Sequence, residues 1–267
     1  MAYPIGFTAE QKKEWETVPE KKVPVPGKSV VQVRFPGKGA PLAYYNDSFD
    51  LHPGDRVFVE GKMEGIQGRV MDVSYHFKIK LSEYKRVIAV ADTEVTGELF
   101  MAGSHFVAFD PAVLPYEKVL SWFKAPAAEE AEYVTGTEGE TFSLDDLSGM
   151  KITAEVAQRG HDYYLDNRVR YLCISGTHGR AIVEGSRIYE VEFRYREGQI
   201  SGLICDCPCT YSCKHEFAVM LQLRETLELI RKHYPGMLEE SGYFGAVYKP
   251  TLYLYAIDGK EKGRLVL

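Results

Sequence analysis

Four cysteines and one histidine fall within the eleven residues Cys205-Asp206-Cys207-Pro208-Cys209-Thr210-Tyr211-Ser212-Cys213-Lys214-His215. Thiolate and imidazole are the ligands that zinc prefers, and a structural zinc site closes tetrahedrally on four of them. Cys205 and Cys207 make a C-x-C clip, and Cys213 with His215 makes a C-x-H clip after a five-residue gap. Joining two clips by so short a loop costs little closure entropy. Pro208 and Thr210-Tyr211-Ser212 suit the tight turn that must lie between them. The competing reading is that free cysteines act as small buried hydrophobes. Scattered cysteines would fit it, but four of the five in this chain crowd into nine positions. That crowding is metal-ligand spacing.

The neighbouring elements must hold these ligands in place. Phe217, Met220, Leu221, Leu227 and Ile230 recur at helical spacing, so a helix carries His215 in its first turn and stops at Pro235-Gly236. Upstream, Arg168 to Ser175, Arg180 to Glu184 and Arg187 to Tyr195 read as strands, and Ile200 to Ile204 delivers Cys205. Ser143 to Asp146 supplies caps for a further helix, on which Ile152, Val156, Gly160, Tyr163 and Tyr164 share a face. Gly160 permits close approach to another backbone, and a sheet is the expected neighbour.

The ordered set Gln158-Arg159-Gly160-His161-Asp162-Tyr163-Tyr164, Val183-Glu184-Gly185-Ser186-Arg187-Ile188-Tyr189-Glu190-Val191, the C-x-C-x5-C-x-H spacing and the helix that follows resembles the SWIM zinc finger. The resemblance spans roughly residues 150–234. It implies Zn²⁺ held by Cys205, Cys207, Cys213 and His215. Cys209 departs from the family pattern, and is either a bystander thiol or a replacement for one ligand. Three thiolates and a neutral imidazole give the site a net charge of minus one. They leave no open position for water, so the expected metal is structural rather than catalytic.

The 267 residues are enough for two domains. No run of about 18 apolar residues occurs, so no membrane partner is expected. The start Met1-Ala2-Tyr3-Pro4-Ile5 lacks the basic and apolar regions of a secretory signal. With cysteines at metal spacing, this predicts a reducing, cytoplasmic setting. Net charge is −6, which excludes a protein that coats nucleic acid by bulk electrostatics. The deficit is local: residues 96–150 hold two basic and ten acidic side chains, against twelve and eleven in residues 151–234. Local basic faces therefore remain open to the flanking regions, with residues 168–196 and 78–86 the candidates.

Residues 1–28 read as an extension, with a capped turn of helix from Thr8 and an extended Val23-Pro24-Val25-Pro26. Gly27-Lys28-Ser29 has the ending of a P-loop, but Lys22 stands where its first glycine is required. Val30 to Phe35, Leu42 to Tyr45, Arg56 to Glu60, Gly68 to Val73 and Val87 to Val90 are short strands between glycine-rich turns, which predicts a small β-barrel over 29–110. Val33, Tyr44-Tyr45, Pro53-Gly54-Asp55-Arg56-Val57 and Gly68-Arg69-Val70 are similar in order to the DNA-end-binding barrel of primosomal helicases. Lys78, Lys80, Lys85 and Arg86 lie among Tyr75, His76, Phe77 and Tyr84, the residue types that bind single strands. They equally suit a solvated strand edge. Leu99 to Phe109 is one more apolar strand, with His105 as a structural side chain. A short helix and an acidic linker fill 111–142, the zinc module 143–234, and a hairpin built from Val247 to Ile257 and Leu265 to Leu267 closes 235–267.

The expected class is thus α+β. No serine elbow, H-E-x-x-H, Rossmann glycines, Walker A or helicase motif is present, so no catalytic residue is assigned and an enzyme is not expected. SWIM fingers accompany remodelling-type helicases in bacteria. The resemblance therefore implies a non-catalytic zinc module that contacts DNA or RNA, or a helicase or other nucleic-acid enzyme. The alternative is a protein-interaction adaptor with a purely structural zinc.

Overall fold

The computed structural model describes residues 27–77, 83–125, 141–209, 211–258 and 265–266. The expected N-terminal helix, Lys78, Lys80 and the acidic segment 126–140 lie outside them. Among the described residues, the strands fall into a five-stranded sheet, an eight-stranded sheet and a two-stranded pair. The two larger sheets are antiparallel and the helices few, which is consistent with the α+β class. None of the described helices is long and apolar enough to cross a membrane.

The first sheet contains β1 (Ser29–Arg34), β2 (Leu42–Asn46), β3 (Arg56–Val59), β4 (Gly68–Ser74) and β5 (Val87–Val90), in the order β2-β1-β4-β3-β5. Alternating residues place Val31, Val33, Tyr44, Val57, Val59 and Val70 in one core with Phe35, Leu51 and Met63. The sheet curls until β2 meets the start of β5. That contact is a single bridge, Tyr45 to Arg86, with the Tyr45 amide donating to the Lys85 carbonyl at 2.9 Å. The closed barrel expected here is therefore not shown, because no ladder joins the two edges.

After β6 (Val95–Thr96), the strands β7 (Phe100–Ala102) and β8 (His105–Ala108) form a hairpin. They belong to the second sheet, not to the first module as the reading of 29–110 implies. β8 pairs with β14 (Tyr243–Tyr248), and the full order is β7-β8-β14-β10-β11-β12-β13-β9. The remaining strands are β9 (Phe142–Ser143), β10 (Val169–Ser175), β11 (His178–Glu184), β12 (Ile188–Arg196) and β13 (Gln199–Cys205).

Helices cover both faces of this sheet. α1 (Tyr116–Ser121) packs on one face, where Tyr116, Val119 and Trp122 join Tyr171, Cys173, Ile182 and Val247. α2 (Ala154–Leu165) and α3 (Lys214–His233) cover the other, burying Leu172, Val183, Val191, Phe193 and Leu203 under Val219, Met220, Leu223 and Leu227. α2 is capped by Thr153, while Asp146 caps a separate 3-10 turn, Leu147–Met150. After α4 (Met237–Ser241), β14 runs through the centre of the sheet, buried on both faces.

The expected C-terminal hairpin is replaced by β14, then α5 (Lys249–Leu252) and a π-turn, Tyr253–Ile257. Pro250 sits in the first turn of α5, where its missing N–H costs nothing and its fixed φ favours helix over strand. β15 (Leu265–Val266) pairs in parallel with β6 instead of folding back on its own neighbours. Trp122 joins the two sheets. Its indole donates to the Asp92 carbonyl at 2.6 Å, its ring stacks on Tyr255 at 5.5 Å, and its carbonyl accepts from Gln67, just before β4, at 2.5 Å.

Candidate metal centre

Cys205 ends β13, paired with Val191 of β12, so the sheet itself fixes the first sulfur. Cys207 follows after a bend. Cys213 is the N-cap of α3: its amide donates to Glu216 Oε2 at 2.7 Å, closing a capping box from the third helical position. His215 lies in the first turn of α3, as its place in the motif predicts. All four side chains are buried, and one ligand atom from each lies within 4.8 Å of the other three. Cys209 is exposed and outside the group, and no cysteine is in a disulfide.

The donor set fits a tetrahedral cation. His215 Nδ1 is 3.8 Å from Cys205 Sγ and 3.7 Å from Cys213 Sγ. Bonds of about 2.3 Å to sulfur and about 2.0 Å to nitrogen give a tetrahedral N···S edge of about 3.5 Å. Proton chemistry agrees. Cys207 is held well above the ordinary thiol range, first by its bond with Cys213 and then by burial. Cys213 is held up by its bond with Cys205. For Cys205 the bond with Cys213 pulls downward, but burial and neighbouring Cys207 prevail. Three thiols so close cannot ionise together without a compensating cation, and a metal ion would supply that charge. Burial pushes the His215 imidazole down to about 4, which keeps it neutral and fit to coordinate.

The rest of the quoted motif converges on His215. Its ring stacks on Tyr189 of β12 at 4.1 Å and meets the edge of Tyr163 of α2 at 5.4 Å. Gly185, in the β11–β12 turn, makes room for both rings: a Cβ there would lie 2.9 Å from the Tyr189 ring and 3.3 Å from the Tyr163 hydroxyl. Gly160 approaches a helix rather than the expected sheet. A Cβ would meet the Lys214 carbonyl at 2.9 Å and the Phe217 side chain at 2.8 Å, which is why α2 can press on the first turn of α3. His215 Nε2 is buried and has no hydrogen-bond partner among the described residues.

One residue outside the quoted motif, Lys124, helps to position the C-x-C clip. Lys124, just after α1, donates to Glu190 at 2.6 Å and to Asp206 at 3.0 Å. Burial works against its charge, but these bonds outweigh it and raise the ammonium above its ordinary value. Asp206 Oδ1 also accepts from the Glu190 amide at 2.9 Å, and its carbonyl accepts from Arg187 at 2.7 Å. Glu216 has a readable signal, since an acid three residues after an N-cap is the capping-box spacing. Its carboxyl is pushed up to about 7 by burial, with the Cys213 amide pulling the other way.

The candidate basic face over 168–196 is extensively paired with acids. Arg170 meets Glu184 at 2.7 Å, and Arg180 meets Glu117 at 3.0 Å and Glu192 at 3.4 Å. Around 78–86, Arg86 lies 5.7 Å from the Tyr45 ring centroid and 3.6 Å from Asp47. Comparison with known proteins gives no match: no family model, no curated protein and no solved structure matches the chain.

Proposed function

We propose that the buried Cys3His group is a structural zinc centre of the SWIM type. In this reading the chain is a non-catalytic, cytoplasmic protein that contacts nucleic acid or a nucleic-acid-processing enzyme. The observation that carries the proposal is the closed geometry: four buried ligand residues whose donor atoms lie within 4.8 Å of one another, with the surrounding motif residues packed on the histidine. A site already filled by four protein ligands leaves no position for an attacking water, so its work is to fix structure. Rigid support at both clips, from the β12–β13 ladder and the first turn of α3, suits a module that presents a loop to a partner. The test is salt-dependent binding of tailed or single-stranded DNA by the zinc-loaded protein. Binding that weakens steeply with salt supports the reading.

The second reading, a protein-interaction adaptor, is favoured by the pairing of Arg170 and Arg180 with carboxylates across the β10–β12 surface. A face neutralised in this way offers little to phosphates. Salt-insensitive capture of a protein, without DNA binding, would select it.

A further inference from the structure

Successive side chains along a strand point to opposite faces of its sheet. Tyr189, Val191, Cys205 and Cys207 belong to the core beneath α2 and α3. Glu190 and Asp206, the residues between them, therefore turn to the other face, where Tyr116 of α1 is packed. Pairing continues past the end of β13 to join the two acids. The Asp206 amide donates to the Glu190 carbonyl at 3.1 Å, and the Glu190 amide donates to Asp206 Oδ1 at 2.9 Å. The middle residue of the C-x-C clip thus reaches the face of the sheet that the sulfurs do not.

The α1 segment holds this pair from both of its ends. At the start of the helix, the Tyr116 hydroxyl donates to Glu190 Oε2 at 2.7 Å. Just after it, the Lys124 ammonium donates to Glu190 Oε1 at 2.6 Å and to Asp206 Oδ2 at 3.0 Å. An exposed ion pair would contribute little. Here the carboxylate side chains are only 11 % and 12 % exposed, and one of them shares its backbone with two metal ligands. Two nearly buried carboxylates at one ammonium repel each other once that ammonium is gone.

We infer that zinc binding and the docking of α1 on the opposite face of the sheet are linked through Lys124, which acts as a positioning residue of the metal centre. This role rests on the zinc reading above and extends it to an element outside the finger. Without the ammonium, Asp206 turns toward water and carries the backbone between Cys205 and Cys207 with it. The linkage is reciprocal: the factor by which docked α1 raises metal affinity is the factor by which bound metal favours docked α1.

The test is the zinc affinity of the full chain, measured by competition with a chromophoric chelator. Co²⁺ serves as a second probe, because its visible absorption reports tetrahedral thiolate coordination. Lys124→Met should weaken zinc binding about ten-fold or more, the usual cost of losing a partner outside the ligand set. Lys124→Arg keeps the cation and should restore most of the affinity. Glu117→Gln breaks the ion pair of α1 with Arg180, away from the clip, and should bind zinc as the wild type does. Amide exchange on the wild-type chain reads the linkage in reverse, and it decides even where Lys124→Met fails to fold. Chelating the zinc should speed exchange in residues 116–124 about ten-fold and leave β14, in the middle of the sheet, unchanged. Undiminished affinity in Lys124→Met would overturn the inference and leave the zinc centre standing. So would an equal loss in Lys124→Arg or Glu117→Gln, or exchange in 116–124 that ignores the metal or rises no more than that of β14. A wild-type chain that binds neither zinc nor Co²⁺ would overturn the zinc reading and this role of Lys124 with it.

Discussion

His105 and His215 are both buried, and burial drives both imidazoles down to about 4. Their ring nitrogens nevertheless have opposite surroundings. In β8, His105 uses both: Nδ1 lies 3.0 Å from Ser104 Oγ, and Nε2 lies 3.0 Å from the Val169 carbonyl. It braces the β7–β8 hairpin against the start of β10, and its hydrogen-bonding capacity is spent on protein. In α3, His215 turns Nδ1 toward two sulfurs and is gripped by two tyrosine rings. Burial and lowered basicity therefore do not mark a ligand. What the ring nitrogens face does.

The sharpest way to break this comparison is to remove one partner from each region. Cys213→Ser takes away a thiolate and the N-cap sulfur of α3 together. It should abolish stoichiometric zinc and destabilise the finger by at least several kcal/mol, since metal binding and folding are coupled in such sites. Zinc analysis and thermal melts read both effects. His105→Ala should cost about 2–4 kcal/mol, from a cavity and the Val169 carbonyl left unpaired, yet leave the zinc content at the wild-type level. Loss of zinc in His105→Ala would mean that the two regions are not independent.

Acid titration sharpens the same contrast. The folded His105 pKa is lowered from 6.5 to about 4, mainly by burial, with Lys249 and Arg170 adding to the effect and the Val169 carbonyl opposing it. Its contribution to stability is complete above about pH 6.5 and is lost as the pH falls through about 4, a change on the order of 3 kcal/mol. His105→Gln should flatten the stability profile in that window. Superimposable profiles would show that His105 does not titrate there. A smaller effect is expected at the helix contact: Gly160→Ala forces a methyl group against Lys214 and Phe217 and should cost about 1–3 kcal/mol, with weakened zinc retention under a chelator. The smallest is Cys209→Ser, an exposed change outside the cluster, which should stay within about 0.5 kcal/mol of wild type in melts and keep its zinc. Equal zinc losses in Cys209→Ser and Cys213→Ser would make Cys209 a ligand.

The Cys3His group was legible because its four residues sit within eleven positions, where covalent spacing alone confines them. The first sheet and β10 to β13 were legible through strand alternation, and α3 through its helical stripe. Partner choice was not legible. The segment around Phe106 reads as a strand, but nothing local says that it pairs with β14, more than 130 residues away. β14 itself was missed because both of its faces are buried, so Tyr243-Phe244-Gly245-Ala246-Val247 shows no alternation. The Lys124 clamp on Glu190 and Asp206 spans 66 and 82 residues, a distance at which no periodicity operates. Gly160 was rightly read as a point of close approach, but the identity of the approaching element is a property of packing.

The most direct test of the central claim is the zinc content of wild-type protein purified without chelator, measured beside His215→Ala and His105→Ala. One zinc per chain is expected in the wild type and in His105→Ala, and substoichiometric, readily chelated zinc in His215→Ala. A wild-type protein without zinc, or a His215→Ala protein that holds it as tightly as the wild type, would mean that the Cys3His group is not a zinc centre.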